Sequence, residues 1–68
     1  MNIDELTQSI QAAHPDITIT GGEMGNGFSL SLSKDINGKH IEWNRNNVTN
    51  VDSLNNFAQE AITEYFSG

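Results

Sequence analysis

Strict alternation of apolar and hydroxyl side chains over residues 28–33 limits the fold of this chain more than any other feature. Phe28, Leu30 and Leu32 alternate with three serines. Successive side chains of a β-strand point to opposite faces of the sheet, so the segment predicts a strand with one apolar face and one polar face. An apolar sheet face has to be covered by a second layer. The rest of the chain must therefore supply that layer.

Two further segments are typical of strands in the same sheet. Residues 16–20 alternate isoleucine with polar residues, and residues 39–44 place an isoleucine and a tryptophan on one face. Asn37-Gly38 predicts a hairpin turn, because both residues tolerate positive φ. We expect Gly21-Gly22 to end the first strand and residues 25–27 to form a loose turn. The polar face of the sheet would then carry Thr18, Thr20, Ser29, Ser31, Ser33, His40 and Glu42.

Helical periodicity occurs at both ends of the chain. Residues 3–13 carry apolar side chains at spacings of three and four, which predicts an amphipathic helix. Asn2 is a suitable N-cap, and His14-Pro15 stops the helix because a residue before proline disfavours the α region. A second helix begins after a cap at Asn50 or Asp52. Its broader apolar stripe comprises Val51, Leu54, Phe57, Ala58, Ala61, Ile62 and Tyr65.

These elements predict a single α+β domain over residues 1–68, with the order α-β-β-β-α. The simplest packing is two-layered, with a three-stranded antiparallel sheet and both helices on its apolar face. The chain has 68 residues and no cysteine, which excludes disulfides and thiolate chemistry. No secretion signal or membrane-spanning run is recognisable, so we expect a cytoplasmic protein without a membrane contact.

The charge balance argues against direct binding of nucleic acid. Nine acidic residues stand against three basic ones, for a net charge of −6, and every base lies within residues 34–45. Binding to phosphates depends on lysine and arginine, which release counterions from the nucleic acid. Carboxylates spread over a small domain can instead compete for a basic groove that normally holds DNA or RNA.

No arrangement of side chains predicts catalysis, a metal site or a cofactor. His40 could pair with Ser29 or Ser31 across two strands, but no third orienting group accompanies them. Glu60 and Glu64 are one helical turn apart and predict a solvated face rather than paired catalytic acids. The expectation is a protein that is not an enzyme, with no cofactor and no metal.

The chain resembles the small acidic type II-A anti-CRISPR proteins of Listeria prophages, over about residues 1–60. The similarity lies in Met1 to Leu6 with Ile10, in Asp16, in Thr18 to Gly21, in the strand with Leu30 and Leu32, in Asn37-Gly38 and in Phe57. This resemblance implies inhibition of a Cas nuclease by mimicry of DNA. It also implies contacts from the first helix–strand junction, at Asp16, and from the hairpin tip. Lys39 and His40 depart from the family pattern there.

We therefore expect a phage- or prophage-encoded inhibitor of the anti-CRISPR type, acting in the cytoplasm of the host cell. Its partner would be a Cas effector or another nucleic-acid-handling protein, bound through an acidic surface. The alternative is a small assembly module, monomer or homodimer, that pairs through a sheet edge or the Ser/Thr-rich face. The residues expected to bind the partner are Asp16, Glu23, Asp35, Asn37, Glu60 and Glu64.

Overall fold

The computed structural model describes residues 2–66; Met1 and the last two residues lie outside this range. A first helix is followed by a three-stranded antiparallel sheet, whose strands lie side by side in chain order, and by a second helix that continues into a π-helical turn. The predicted α-β-β-β-α order is confirmed. The elements are α1 (Ile3–Ala13), β1 (Thr18–Met24), β2 (Gly27–Ile36), β3 (Lys39–Val48), α2 (Val51–Ala61) and the π turn (Ile62–Phe66).

Both α-helices begin at asparagine caps. Asn2 Oδ1 accepts a hydrogen bond of 2.8 Å from the backbone N–H of Glu5, which satisfies one of the free donors of the first turn of α1. Asn50 Oδ1 accepts from the N–H of Asp52 at 2.8 Å, so Asn50 is the cap of α2. The predicted bounds of α1, residues 3–13, are confirmed. Asn2 caps the start of the helix, and Pro15 follows its end.

Strand β1 is longer than predicted. The expectation that Gly21-Gly22 ends it is wrong, since pairing with β2 continues from Thr18 opposite Ser33 to Met24 opposite Gly27. The loose turn expected at residues 25–27 is a two-residue turn of Gly25 and Asn26, with Gly25 at φ 61°. Ladder hydrogen bonds override the low strand preference of glycine here. Gly21 is also needed for packing, because a Cβ there would lie 2.8 Å from Thr7 Cγ2 of α1.

Strand β3 extends to Val48 and contains a β-bulge. Arg45 lies opposite Leu30 and Val48 opposite Phe28, so two residues, Asn46 and Asn47, face one residue of β2. Asn47 takes the left-handed conformation with φ 58°, which asparagine tolerates better than most residues. The extra residue returns Val48 to the apolar face, where it packs against the core.

The core lies between the sheet and the two helices, and the last turn of the chain completes it differently from the prediction. Tyr65 was expected in the apolar stripe but is 54% exposed, whereas Phe66 is 3% exposed. A π-helical turn holds more residues per turn than an α-helix, so it shifts the inward position by one residue. The buried apolar residues are Ile3, Leu6, Ile10, Ile17, Leu30, Leu32, Val51, Leu54, Ala58, Ala61, Ile62 and Phe66.

Candidate protein-binding surface

Within residues 2–66, no element covers the face of the sheet opposite the helices, and small polar side chains line it. Cross-strand pairs on this outer face include Thr18 with Ser33 and Thr20 with Ser31, and Asn44 of β3 lies on the other side of Ser31. Three shallow depressions follow one another along it, and neighbouring depressions share lining residues. The outer face is thus one continuous trough of hydroxyl and amide groups. Such a solvated face is ordinary for an antiparallel sheet.

Acidic residues gather where this trough meets the β2–β3 hairpin. Asp16 and Asp35 line the same depression, together with Lys34 and His40. Asn37 lies two residues beyond Asp35, in the turn that closes the hairpin. Asn37 and Gly38 have φ of 53° and 81°, which confirms the turn that their sequence predicted. Three of the six residues expected to bind a partner thus lie at one end of the sheet, called here the hairpin end.

Asp16 is tied to the sheet by an ion pair with Lys34. The Lys34 Nζ lies 2.7 Å from Asp16 Oδ2, and the Asp16 side chain is 61% exposed. The hydrogen bond from Lys34, with a further one from backbone, lowers the pKa of Asp16 below its ordinary value. An exposed pair of this kind adds little to stability. The pair offsets the charges of Asp16 and Lys34 against each other and holds the exposed Asp16 carboxylate in place.

His40 is held between two carboxylates on the outer face. Its Nδ1 lies 2.8 Å from Asp35 Oδ1 and its Nε2 lies 3.1 Å from Glu42 Oε1. The hydrogen bond to Asp35, and then that to Glu42, raises the pKa of His40 above 6.5. A neutral imidazole donates from only one nitrogen, so both contacts are hydrogen bonds only when the ring is protonated. We call Asp35, His40 and Glu42 the histidine clamp.

Arg45 is occupied by aromatic rings of its own chain. Its guanidinium carbon lies 4.5 Å from the centre of the Phe57 ring and 5.9 Å from that of Trp43. Contacts at these distances are favourable cation–π interactions. Arg45 thus covers half-buried aromatic surface between β3 and α2. With Lys34 paired to Asp16, two of the three bases contact groups of this chain.

The remaining residues expected to bind a partner lie elsewhere. Glu23 is near the opposite end of the sheet, opposite Phe28 in the β1–β2 pairing. Glu60 and Glu64 line a separate depression on the last turns of the chain, with Gln59 and Thr63. All three glutamates are exposed. The structure therefore divides the six residues among three places rather than bringing them to one site.

The contacts of the histidine clamp were not predicted from the sequence, although the register of the hairpin indicates them. A two-residue turn at Asn37-Gly38 fixes the register of the hairpin, and that register places Asp35 opposite His40. Glu42 then follows on the same face because side chains alternate along a strand. Alternation along the strand predicts His40 and Glu42 on the polar face, but only the register across the hairpin adds Asp35 to them.

The register of the hairpin keeps Ser31 away from His40. Ser31 lies opposite Asn44, whereas His40 lies opposite Asp35, so one outward pair, Ser33 with Glu42, lies between Ser31 and His40. Within residues 2–66, no group of three or more histidine, aspartate and glutamate side chains is arranged to hold a metal ion. What the hairpin end offers chemically is a set of exposed hydrogen-bond acceptors with negative charge.

Comparison of the chain with protein-family models, with curated proteins and with solved structures gave no match. In the part of the chain that the structure describes, no helix has both the length and the apolar character that crossing a bilayer requires.

Proposed function

We propose that this protein is an inhibitor that binds a nucleic-acid-handling protein through the acidic hairpin end of its outer sheet face. The observation that carries the proposal is the meeting of Asp16, Asp35 and Glu42 on one uncovered surface. A partner that normally binds DNA or RNA presents lysine and arginine in a groove, and these donors pair well with fixed carboxylates.

The distribution of charge supports the same proposal. All nine acidic side chains are exposed, so each adds to the negative potential outside the molecule. At the hairpin end Lys34 offsets the charge of Asp16 and Lys39 lies beside the turn, so Asp35 and Glu42 supply the negative charge there. A field of one sign speeds association with a partner of the opposite sign and is screened by salt.

The resemblance to type II-A anti-CRISPR proteins makes a Cas effector the first partner to test. On this proposal the protein is encoded by a phage or prophage, acts in the host cytoplasm and is not an enzyme. Asp16 and Asn37 occupy the helix–strand junction and the hairpin tip, where the resemblance implies contacts with the nuclease. Lys39 and His40 make this hairpin less acidic than the family pattern.

Affinity capture from cells with active CRISPR–Cas systems tests the proposal. The tagged protein should retain a Cas effector at low salt, release it at moderate salt and lose it when guide or target nucleic acid is added. Retention that neither salt nor nucleic acid weakens would contradict mimicry of nucleic acid.

A matched pair of double variants then identifies the surface. D16N/D35N and E60Q/E64Q each remove two negative charges, but only the first changes the hairpin end. We expect the first pair to weaken binding at low salt by about tenfold, which is about 1.4 kcal/mol, and the second to have a much smaller effect. Equal losses from the two pairs would mean that only net charge matters.

A second candidate function follows from the continuous Ser/Thr trough. A small assembly module could pair two copies through this face, where Thr20 and Ser31 lie at the centre of the outer surface. Sedimentation equilibrium of the wild type would then show a dimer, and S31K would convert it to a monomer. A monomer at all concentrations would refute this second function.

A further inference from the structure

We infer that the free edge of strand β1 binds an extended, lysine- or arginine-bearing segment of the partner as a fourth strand of the sheet. This inference rests on the proposed function in that the partner is a basic protein. It adds the element of this chain that receives the partner and the conformation that the partner segment takes. In the order β1-β2-β3, β1 and β3 are the two edges.

The register determines which backbone groups of β1 face outward from the sheet. Met24 and Gly27 close a two-residue turn and form a hydrogen-bonded pair, and such pairs alternate along an antiparallel ladder. The even-numbered residues of β1 therefore bond to β2. Ile19, Gly21 and Glu23 direct their N–H and C=O groups to the free edge.

A side-chain contact supports this assignment. The Nε2 of Gln11 donates to the backbone oxygen of Ile17 at 3.0 Å, and Ile17 shares the odd-numbered positions that face the edge. Gln11 thus covers the edge just before β1 begins. Among residues 2–66, no side-chain hydrogen bond reaches the backbone of Ile19, Gly21 or Glu23, and both Gly21 and Glu23 are exposed.

The other edge of the sheet is protected and β1 is not. Strand β3 carries Lys39 and Arg45 and ends in the bulge at Asn46 and Asn47, and charged residues and bulges are the usual protection of an exposed edge. Strand β1 has no lysine, arginine, proline or bulge, and its one charged residue is Glu23, next to the last residue of the strand. An added strand therefore meets fewer obstacles at β1, where main-chain hydrogen bonds would supply the affinity.

The surroundings of the β1 edge indicate the chemistry of the added strand. Thr7 of α1 packs against Gly21, and Asp4 lies one turn earlier on the same side of α1. Since α1 and β1 run in opposite directions, Asp4 lies toward the Glu23 end of the strand. Residues 1–33 contain four acids and no base. Side chains of an added strand would thus lie beside the carboxylates of Asp4 and Glu23, and residues 1–33 contain no basic residue that could neutralise them. This environment favours lysine and arginine in the added strand.

Amide hydrogen exchange with two synthetic peptides tests the inference. The first is a ten-residue peptide that alternates lysine with valine, and the second has glutamate in place of every lysine. The lysine peptide at about four times its Kd should slow exchange at Ile19, Gly21 and Glu23 by about fivefold, because only the free fraction then exchanges. The glutamate peptide should leave these amides unchanged.

Two proline variants provide the matched control. E23P removes an N–H from the free edge of β1, and N44P removes an N–H from the free edge of β3. Proline is tolerated at a strand edge whose N–H faces solvent. We expect E23P to weaken binding of the lysine peptide about tenfold, or about 1.4 kcal/mol, and N44P to bind it like the wild type. E23Q, which keeps the N–H, should retain protection at Ile19 and Gly21.

Three results would overturn the inference: slowed exchange at His40, Glu42 and Asn44 instead of β1, equal effects of the two peptides, or wild-type binding by a folded E23P. Self-pairing of β1 without peptide would overturn it as well, because the occupant would then be a second copy. D16N/D35N can weaken capture of the partner whichever of these results is obtained. Failure of the edge inference is therefore distinguishable from failure of the proposed function.

Discussion

Gly27 should be far less replaceable than Gly22, although both are glycines of the same hairpin. A Cβ at Gly27 would lie 2.9 Å from the Asn47 carbonyl carbon, 3.0 Å from Asn47 Cα and 3.1 Å from Val48 N. The carbon contacts are at least about 0.5 Å inside the optimum of 3.5–4.0 Å. All three atoms belong to the backbone of the β3 bulge, which cannot rotate aside as a side chain can.

The expected magnitude follows from that geometry. Overpacking against rigid surroundings costs about 1–3 kcal/mol, so G27A should lose that amount of unfolding free energy. A domain of this length has a total of only about 3–10 kcal/mol. The melting temperature should fall by about 4–8 °C for each kcal/mol lost.

G22A is the matched control. No atom of residues 2–66 lies within 4 Å of a Cβ at Gly22, and the φ of Gly22 is not in the left-handed region. Alanine there restricts the unfolded chain and should raise stability by about 0.4–1 kcal/mol. Urea unfolding of both variants, followed by circular dichroism, measures the difference. A G27A variant as stable as G22A would refute the close approach of the bulge to Gly27.

Two further predictions concern the last turn and the histidine clamp. F66A should lose about 3–5 kcal/mol of unfolding free energy because Phe66 is 3% exposed. Y65A should change the unfolding free energy by less than about 0.5 kcal/mol. Urea unfolding measures both values, and a larger loss from Y65A than from F66A would contradict the inward position of Phe66. Proton NMR should place the pKa of His40 above 6.5, and D35N should lower it. Because the folded-state pKa is the higher one, the clamp contributes stability fully below about pH 6.5 and loses it as the pH rises through the folded pKa. A titration of His40 at 6.5 that D35N leaves unchanged would contradict the two contacts.

Local signals in the sequence were sufficient for the order and type of the elements. The bounds of α1 were predictable because Asn2 and Pro15 act on neighbouring backbone groups, and the same holds for the turn at Asn37-Gly38. The continuation of β1 through Gly21 and Gly22 was not predictable, because pairing with β2 outweighs the preference of single residues.

The errors at the end of the chain have a different origin. Tyr65 fits an α-helical stripe as well as Ile62 does, and only the π turn moves the inward position to Phe66. The candidate surface was partly predictable for a similar reason. Asp35 and Asn37 share a hairpin and had to lie together, but the approach of Asp16 depends on the β1–β2 register, which places Thr18 opposite Ser33.

The two-residue turns at Gly25-Asn26 and Asn37-Gly38 have a consequence for the rate at which this protein folds. Each strand pairs only with its neighbour along the chain, so closing the sheet costs little chain entropy. Domains with mostly local contacts fold faster than those whose strands must meet from distant parts of the sequence. Each hairpin can form before either helix docks. The sheet can then serve as a template on which α1 and α2 collapse from opposite ends of the chain.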